Sequence, residues 1–500
     1  MTSLLTDHLI SSLIAVPFLG IAAILLVRGQ AWARWCALAS SLVTLGLALA
    51  LWSGFDTTIP GMQFVERVEW MPTFNIHYAV GVDGISLVLV LLTALLAPLC
   101  VLASWASIES KVKAFMSLVL LVEGAMIVVF TAMDLFLFFM LWEVTMIPMY
   151  FMIILWGGPE RVRAGIKFVI YSLTGSLLLL VGILGLYLQA DRTFDLQEII
   201  ATGISSDAQT WIFAALFFGF AIKLPMIPFH SWLPDAHSEA PTAGSVILAG
   251  VLLKMGGYGF LRICLPALPE GSDHFAPVLL WLSVVGILYG GCLALAQTDL
   301  KKLVAYSSIS HMGFVTLGIF AFNGEGIQGA VMQMFAHGVS TGAMFLAIGL
   351  LYDRTHSRMI SDYGGLHKAM PRFVVLLSIF SIASFGLPGT ANFVGEFLVL
   401  VGTSYGGMLK VLLAMGGIVL AAGYMLWMLQ RVALGPPSTP AGAMLPDLGG
   451  RELLTLAPLA IVVFTVGLYP AVLTETVELT VNGLVEQVAA ALEAAGSPTD

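Results

Sequence analysis

The chain has 500 residues, of which 59% are hydrophobic and only 10% are charged. A soluble domain carries about 25% charged residues, so this composition leaves too little polar surface for a water-soluble globule. The length alone would suit about three soluble domains. The composition excludes them and indicates a polytopic membrane protein.

The cysteines and the net charge exclude several other classes of protein. The four cysteines stand singly in apolar stretches, which argues against a disulfide framework, an iron–sulfur cluster and a structural zinc site. The formal net charge of −9 and the lack of a basic tail argue against nucleic acid as a partner. The first apolar run has no basic leader, so we interpret it as a retained membrane span and not as a signal peptide.

Apolar runs long enough to cross a hydrocarbon core of about 30 Å recur along the chain. They predict an all-α polytopic membrane protein with fourteen transmembrane helices. The predicted spans are 9–27, 33–53, 81–103, 113–131, 134–156, 163–189, 210–232, 242–262, 275–297, 301–322, 327–350, 372–403, 408–434 and 453–473.

The basic residues predict the orientation of these spans. Of the 21 Lys and Arg residues, fifteen lie in connections after odd-numbered spans and four in connections after even-numbered spans. Because basic loops stay on the cytoplasmic side, we expect both termini on the outer (periplasmic) side of a bacterial plasma (inner) membrane. The two remaining basic residues, Lys223 and Lys254, lie inside predicted spans.

Two parts of the chain match each other at nearly the same offset, which favours an internal duplication. Spans six and eleven match at an offset of 167 and spans eight and thirteen at 166, although glycine matches are common in membrane helices. A shift of five spans reverses orientation, so spans 4–8 and 9–13 would form two inverted five-helix repeats. The predicted parts are three spans with an outside loop, the first repeat, the second repeat, and span fourteen with a short acidic tail: 1–112, 113–262, 275–434 and 435–500.

Prolines interrupt spans seven and twelve in corresponding positions of the two repeats. Span seven contains Pro225, Pro228 and Pro234, and span twelve contains Pro388 near two glycines. Proline removes a backbone donor and breaks a helix, which at membrane depth is tolerated only beside protein or a wet cavity. A packing kink is one explanation of such a proline. Paired breaks, each beside an ionisable residue, favour an ion pathway.

Ionisable residues near the middle of the predicted spans indicate what the chain does. A charged group at a helix centre costs on the order of 2.5–3.5 kcal/mol, so several in one chain require partners or a function. Burial disfavours the charged form of lysine and of glutamate, and an opposite neighbour favours it, so a Glu–Lys pair can switch a proton on and off. Histidine can carry the proton onward. The predicted relay is Glu143, Lys223, Lys254, His337 and Glu396, with Glu123 and His311 as secondary members.

A structural role is the alternative for each of these residues, above all for Glu123, His311 and His337, which could pack between helices. Four other ionisable residues lie near span ends, where helix capping or interfacial hydrogen bonding is expected: Asp83, Asp134, His230 and His237. The sequence shows no glycine-rich nucleotide loop, cysteine cluster or evident pair of haem ligands. Electron chemistry is therefore not expected on this chain.

Several long motifs resemble the antiporter-like subunits of proton-pumping NADH–quinone oxidoreductase (respiratory complex I). The resemblance covers residues from about 80 to 430. Two stretches, YDRTHSR at 352–358 and GTANFVGEF at 389–397, are similar to one family among them, that of subunit M or NADH dehydrogenase subunit 4. The other motifs are GVDGISL at 81–87, DLFLFFMLWEVTMIPMY at 134–150, KLPMIPFHSWLPDAHSEAPTAGSVILAGVLLKMGGYG at 223–259 and DLKKLVAYSSISHMGF at 299–314.

This resemblance implies a role for each relay residue. Glu143 and Lys223 would form a modulating pair, and Lys254 would be the central proton carrier. His337 would be the link in the second half, and Glu396 the terminal carboxylate, where the sister subunits L and N have a lysine. Protons would enter from the cytoplasm at Lys223 or Lys254 and leave outside by way of Glu396.

The resemblance also implies the surroundings of the chain. It would be a membrane-arm pump between subunits L and N, driven by quinone reduction elsewhere in the complex. FMN, iron–sulfur clusters and the quinone site would belong to other subunits, with no cofactor or metal on this chain. Residues 474–500 are acidic and offer no lateral arm like that of subunit L. Two alternatives stay open: a subunit of a multi-chain cation/proton antiporter, and a non-conducting scaffold whose charges hold helices together.

Overall fold

The computed structural model describes residues 8–435 and 445–496, which are largely helical. Residues 1–7, 436–444 and 497–500, which fall in the predicted first and last parts, lie outside the described residues. The helices are α1 Leu9–Leu26, α2 Gln30–Gly54, α3 Gly84–Ser107, α4 Val112–Thr131, α5 Leu135–Trp156, α6 Arg161–Gln189, α7 Leu196–Thr202, α8 Ser206–Lys223, α9 Trp232–Glu239, α10 Thr242–Ala267, α11 Pro269–Leu295, α12 Leu300–Ile319, α13 Gly324–Thr355, α14 Leu366–Ala369, α15 Pro371–Ser384, α16 Ala391–Ser404, α17 Met408–Ala433, α18 Gly450–Leu468 and α19 Ala471–Ala494.

Eleven of the described helices are long and apolar enough to cross a membrane. The chain is therefore an integral membrane protein of mostly helical fold. The predicted spans seven, ten and twelve correspond to α8, α12 and the pair α15–α16, which do not belong to the eleven. Helices α15 and α16 have only 14 residues each, and α8 and α12 carry more polar side chains.

Helices α10 and α13 form the centre of the bundle. Their apolar segments are 94% and 100% buried, whereas those of α1 and α18 are 33% buried. Other helices therefore shield polar side chains on α10 and α13 from lipid, which is where ionisable groups in membrane proteins are usually found. Two residues of the predicted relay, Lys254 and His337, lie on these two central helices.

A two-stranded hairpin departs from the all-α expectation. Strands β1 (Gln63–Met71) and β2 (Ile76–Val82) pair antiparallel between α2 and α3, in the predicted outside loop. Arg67 fixes the hairpin to the connection before α8, with its guanidinium nitrogens 2.7 Å from Asp195 Oδ2 and 3.2 Å from Glu198 Oε1. Residues of β-branched and aromatic type recur in both strands, as sheets favour, but a search for long apolar runs passes over segments this short.

The two proline-rich spans are interrupted, as the prolines predict. Helix α8 ends at Lys223 and α9 begins at Trp232, while α15 ends at Ser384 and α16 begins at Ala391. Pro388 lies within the second break, where Gly386 has a φ of +72°, a backbone conformation that glycine adopts without steric cost. Pro234 differs from the expectation, because it lies inside the first turn of α9 and not in the break.

Helix α10 contains two π-helical segments, Leu248–Leu252 and Phe260–Cys264, on either side of Lys254. Segments of this kind are uncommon and occur often at functional sites, because the wider turn shifts backbone carbonyls out of the regular ladder.

The expected capping by aspartates is confirmed at two helices. Asp83 accepts from the backbone N of Ser86 at the start of α3, and Asp134 caps α5.

The C-terminal residues form a packed helix, where the sequence predicted a short acidic tail. Helix α19 buries Leu473, Val477 and Val481 at a spacing of four residues, which is one helical face. The backbone N of Gly84 donates to Thr480 Oγ1 at 3.0 Å, so α19 packs at the end of the bundle that carries the hairpin. Glutamates and short apolar side chains stand between the buried positions of α19, so the amphipathic pattern is weak in the sequence.

Candidate functional site

Lys254 and His337 form a hydrogen-bonded pair at the centre of the bundle. Lys254 Nζ lies 2.7 Å from His337 Nδ1, and both side chains are fully buried. Nζ also donates to the backbone carbonyl of Ala249, which lies in the first π-helical segment of α10. The π-helical turn thus provides a neutral acceptor for the lysine, and the histidine provides a titratable one.

A second cluster, made of His311, Gln333 and Glu396, lies beside this pair. His311 Nδ1 is 2.8 Å from Glu396 Oε1, and Gln333 Nε2 donates to the same oxygen at 3.0 Å. The three side chains come from α12, α13 and α16, and each is at most 2% exposed. A carboxylate that accepts two N–H donors can stay ionised away from water, since hydrogen bonds replace part of its hydration.

The two clusters meet through their histidines. The ring centroids of His311 and His337 are 5.6 Å apart, and the ring planes are inclined by 58°. Gln333 and His337 are four residues apart on α13, so this one helix contributes to both clusters. The structure thus brings together four residues that the sequence predicted, Lys254, His337, His311 and Glu396, although His311 was expected to be secondary.

The other predicted pair, Glu143 and Lys223, is not joined by a direct contact. Lys223 is 4% exposed at the C-terminal end of α8, and its Nζ lies 5.3 Å from the centroid of the Trp142 ring. Glu143 is close enough to interact with Lys223 electrostatically, but no ion pair within 4.0 Å forms between them in the described residues. A cation is favourable both over an aromatic face and at a helix C-terminus.

Glu123 forms no hydrogen bond with the residues of the two clusters or with Lys223. It is 3% exposed on α4, and neither carboxylate oxygen has a hydrogen-bond partner among the described residues. The Cys100 thiol on α3 is close enough to interact with it electrostatically. A buried carboxylate without partners is costly, so the position of Glu123 is unexplained by protein contacts alone.

Sequence reasoning missed His237 and Gln333. His237 lies in the last turn of α9, near a helix end as expected, but it is fully buried, with its ring stacked on Phe345 at 4.6 Å and within electrostatic range of Lys254 and His337. Neither of its ring nitrogens has a hydrogen-bond partner in the described part of the chain. His230, by contrast, is partly exposed in the break after α8. The four-residue spacing from Gln333 to His337, which puts both on one helical face, is the sequence signal for Gln333.

A cluster of ion pairs lies where α9 ends, beyond His237 on the chain. Arg358 is 3.4 Å from Glu239 Oε1 and 3.3 Å from Asp299 Oδ2, and Lys301 Nζ donates to the carbonyl of Ala240 at 2.7 Å. Glu239, Lys301 and Arg358 line a cavity of about 140 Å³. His237 lies two residues before Glu239 in α9, so it is next to this cavity on the chain.

No group of three or more His, Cys, Asp or Glu side chains within residues 8–435 and 445–496 is arranged to hold a metal ion. The contacts of the titratable groups described above are of the kind that allow proton transfer between nitrogen and oxygen atoms.

Known sequences match the chain over nearly its whole length. Residues 132–421 match the family described as NADH:quinone oxidoreductase/Mrp antiporter, transmembrane, and residues 13–130 match NADH-ubiquinone oxidoreductase chain 4, amino terminus. NADH-quinone oxidoreductase subunit M of Rhodobacter capsulatus is 44% identical over 466 residues, which cover 91% of this chain and 90% of that protein. The chain belongs to the subunit M (chain 4) family.

Other members of the subunit M (chain 4) family are similarly close. NADH-ubiquinone oxidoreductase chain 4 of Arabidopsis thaliana is 42% identical over 480 residues, covering 95% of this chain and 97% of that protein. Among solved structures, a chain of respiratory complex I from Thermus thermophilus with bound NADH matches with a TM-score of 0.89 and 31% identity, over 96% of this chain and 99% of that one.

A chain of the Mrp complex from Dietzia sp. DQ12-45-1b shares the fold, with a TM-score of 0.86 at 20% identity and coverage of 97% of this chain and 99% of that chain. The same fold thus occurs in a chain of respiratory complex I and in a chain of the Mrp complex. The fold alone does not separate them, whereas the sequence identity assigns this chain to the subunit M family.

Proposed function

We propose that this chain moves protons across the membrane through the residues Lys254, His337, His311 and Glu396, as a membrane-arm subunit of a proton-pumping NADH–quinone oxidoreductase. The observation that carries the proposal is the adjacency of two buried hydrogen-bonded pairs, Lys254–His337 and His311–Glu396, across 5.6 Å. Each pair joins a proton donor to a proton acceptor, and together they link the two central helices α10 and α13 to the broken helix α15–α16.

The hydrogen bonds of the two histidines give the relay a direction. A charged Lys254 can only donate, so His337 Nδ1 accepts and the ring proton sits on Nε2. An ionised Glu396 can only accept, so His311 Nδ1 donates and its Nε2 carries a lone pair. The Nε2 of His337 is then a donor and the Nε2 of His311 an acceptor. Transfer from Lys254 through His337 and His311 to Glu396 needs no change of ring orientation.

Water would complete this path. Several buried polar atoms beside the relay form no hydrogen bond with the described residues, and buried polar atoms of this kind are usually satisfied by ordered water. A single water can bridge a donor and an acceptor that are too far apart for direct contact. The atoms are His237 Nδ1 and Nε2, His311 Nε2, Gln333 Oε1, His337 Nε2, Ser340 Oγ, and Asn392 Oδ1 and Nδ2.

Glu143 and Lys223 form the input side of the proposal. A change in the distance between them would alter how strongly Lys223 holds its proton, which is the modulating role that the resemblance implies. Lys223 lies at the break after α8, where an interrupted helix can move. His237 and the cavity bounded by Glu239 and Arg358 supply a second way for protons to reach Lys254. Glu123, near Cys100, is a side station at most.

The partial exposure of Glu143 supports contact with a neighbouring subunit at this position. Its side chain is only partly buried on α5, a membrane-crossing helix, and lipid is a costly neighbour for a carboxylate. A polar surface of another subunit is therefore expected to cover it, with subunits L and N as the neighbours. NADH, FMN, the iron–sulfur clusters and the quinone would be held by other chains, and this chain would be the non-redox part of the translocase.

The proposed topology has fourteen spans, with α8, α12 and the pair α15–α16 added to the eleven long apolar helices. The breaks after α8 and after α15 support two inverted repeats, spans 4–8 and 9–13, within 113–262 and 275–434. The excess of basic residues in alternate connections supports both termini on the outer side of a bacterial plasma membrane.

Two other functions remain as alternatives to be tested. A subunit of a multi-chain cation/proton antiporter would have the same fold, as the Mrp chain does, but relatives at 40–44% identity carry the names subunit M and chain 4. A non-conducting scaffold would use the buried charges only to hold helices. Ion pairs alone would serve a scaffold, whereas the unpartnered Nε2 atoms of His311 and His337 favour proton transfer.

The test is Lys254→Met in the assembled enzyme in inverted membrane vesicles. We expect normal assembly and a loss of proton translocation driven by NADH of at least about tenfold, because methionine fills the space without a titratable group. Lys410→Met is the matched control, since Lys410 lies in the first turn of α17, outside the relay, where its amine donates to the carbonyl of Gly406 and lies 5.9 Å from the centroid of the Trp281 ring. Normal translocation in Lys254→Met vesicles would reject the relay in favour of the scaffold.

A further inference from the structure

The two oxygens of the Glu396 carboxylate have different surroundings. Oε1 lies 2.8 Å from His311 Nδ1 and 3.0 Å from Gln333 Nε2. Oε2 receives no hydrogen bond from the described residues and lies against Gly386, where an added Cβ would be 3.0 Å from it. Gly386 belongs to the break between α15 and α16. One oxygen thus faces the relay, and the other faces the interrupted helix.

Gln333 creates this difference. Its amide nitrogen has only N–H donors, so it can bond Oε1 only while that oxygen accepts. The amide nitrogen and His311 Nδ1 both face Oε1, so the carboxylate is turned with this oxygen toward the histidine and with Oε2 toward the break. A proton that His311 gives up along its hydrogen bond arrives on Oε1. The N–H of Gln333 then faces a protonated oxygen, so this contact favours the ionised form of Glu396.

We propose that Gln333 is a positioning residue of the relay, which turns the Glu396 carboxylate so that Oε1 accepts the proton from His311 Nδ1 while Oε2 faces the break at Gly386. The inference rests on the proposed function of Glu396 as the terminal station. Gln333 does not titrate in water, so it takes no proton itself. With Gln333 in place, the proton moves from His311 Nδ1 to Oε1, and the hydrogen bond from Gln333 forms again once the proton has left.

The backbone holds Gln333 close to Glu396. Gly395 precedes Glu396 and touches α13 so closely that a Cβ there would lie 2.6 Å from the backbone N of Gln333. One turn earlier on α13, a Cβ at Gly329 would lie 2.6 Å from the backbone N of Val399. Two glycines therefore allow α13 and α16 to approach until their backbones touch. Since Gln333 is also fully buried, its amide has no room to turn toward solvent.

The experiment replaces Gln333→Met in the complete enzyme, because methionine keeps the length of the side chain and removes both polar atoms. A packing role predicts little change. A positioning role predicts about a tenfold lower rate of proton translocation, which is the effect of losing one hydrogen bond to a charged group. It also predicts a shift in the infrared C=O stretching band of protonated Glu396, the band that disappears in Glu396→Gln.

Gln209→Met is the matched control, since Gln209 is also buried and donates to a carboxylate, Glu270, at 3.0 Å but lies outside the relay. We expect translocation per electron pair and the infrared band to be unchanged in it. If Gln333→Met fails to assemble, Gln333→Asn tests the same point, because the shorter amide cannot reach Oε1.

Two results would separate this inference from the proposed function. Unchanged translocation and an unchanged band in Gln333→Met, with translocation lost in Glu396→Gln and Lys254→Met, would overturn the role of Gln333 alone. Normal translocation in both Glu396→Gln and Lys254→Met would overturn the relay itself, and the inference with it. A tenfold loss and a shifted band in Gln333→Met, beside a normal Gln209→Met, would establish the positioning role.

Discussion

His337 and His311 lie side by side with ring centroids 5.6 Å apart, and their Nδ1 atoms are bonded to partners of opposite charge type. His337 Nδ1 contacts the amine of Lys254, and His311 Nδ1 contacts the carboxylate of Glu396. The two rings are therefore set in complementary tautomers by their partners. A proton can pass between the free Nε2 atoms only if both rings can take up and release it. A side chain of similar size could therefore replace either histidine in packing but not in proton transfer.

Replacing His337→Gln is expected to stop the relay while keeping the hydrogen bond to Lys254. The glutamine side chain can accept from the lysine, but it does not take up and release a proton near neutral pH. We expect proton translocation to fall by at least about a hundredfold, the lower range of what a general acid–base group contributes. The measurement is NADH-driven acidification of inverted vesicles, together with the amount of assembled enzyme.

The control for this variant is His274→Gln, because His274 is exposed at the start of α11 and away from the relay. It should translocate protons at the normal rate. Efficient translocation by an assembled His337→Gln enzyme would mean that protons bypass this ring, and the order Lys254, His337, His311 would then be wrong.

Gly395→Ala tests the close approach of α13 and α16. The new Cβ would lie 2.6 Å from the backbone N of Gln333, so the helices must separate or the chain must strain. Overpacking of this kind costs about 1–3 kcal/mol. We expect faster thermal inactivation and less assembled enzyme. Gly423→Ala is the matched control in α17, since its added Cβ meets nothing within 4 Å and should leave the half-life unchanged.

The residues of the proposed relay stand out in the sequence, but their contacts with one another do not. Lys254, His337 and Glu396 stand out because charge is rare in apolar spans and its position along the helix is readable from the period. Which side chain meets which depends on the rotation and approach of separate helices. That approach is set by contacts such as Gly395 on Gln333, and neither residue carries a charge that would draw attention.

The fold was predictable to a similar degree. Long apolar runs gave the central helices α10 and α13, and prolines gave the breaks after Lys223 and after Ser384. The β1–β2 hairpin and α19 were missed, because their apolar positions alternate or recur over short segments and are buried against other helices instead of lipid. His237 was expected near a helix end and lies in the last turn of α9, but its burial against Phe345 of α13 could not be read from the sequence.

Glu198 is expected to make the attachment of the hairpin sensitive to acid. The Thr193 hydroxyl, donating at 2.6 Å, and the Arg67 guanidinium hold the pKa of Glu198 below its usual value, although partial burial acts in the opposite direction. Because the pKa of Glu198 is lower in the folded than in the unfolded state, ionised Glu198 stabilises the fold above about pH 4.5. This stabilisation is lost as the pH falls through the lowered pKa. The effect should be below about 1 kcal/mol, because the side chain is 47% exposed.

Hydrogen exchange of the β1 amides measures this attachment. In the native chain, protection corrected for the intrinsic exchange rate should fall as the pH is lowered from about 5 toward 3. In Glu198→Gln the corrected protection should start lower and change less with pH, since the amide does not titrate. Equal pH dependence in the two proteins would assign the acid sensitivity to groups other than Glu198.

Glu396→Lys is expected to lose both stability and proton translocation, because the contacts of Glu396 require an acceptor at this position. Its Oε1 accepts from two donors, His311 Nδ1 and Gln333 Nε2. A lysine there would present a third donor to two existing ones and bring a second cation near Lys254, with no anion between them. Glu396→Gln differs, because its amide oxygen can still accept from both donors although it cannot carry the proton.

We therefore expect Glu396→Gln to assemble normally and to lose translocation, whereas Glu396→Lys should lose translocation and also stability. The measurement compares the thermal half-life and the NADH-driven proton translocation of the two variants. Glu478→Lys, an equal change of charge at an exposed position of α19, is the control and should retain both. If Glu396→Lys kept normal half-life and normal translocation, the terminal station would not need to be an acceptor, and the pairing of His311 with Glu396 would have no role in moving protons.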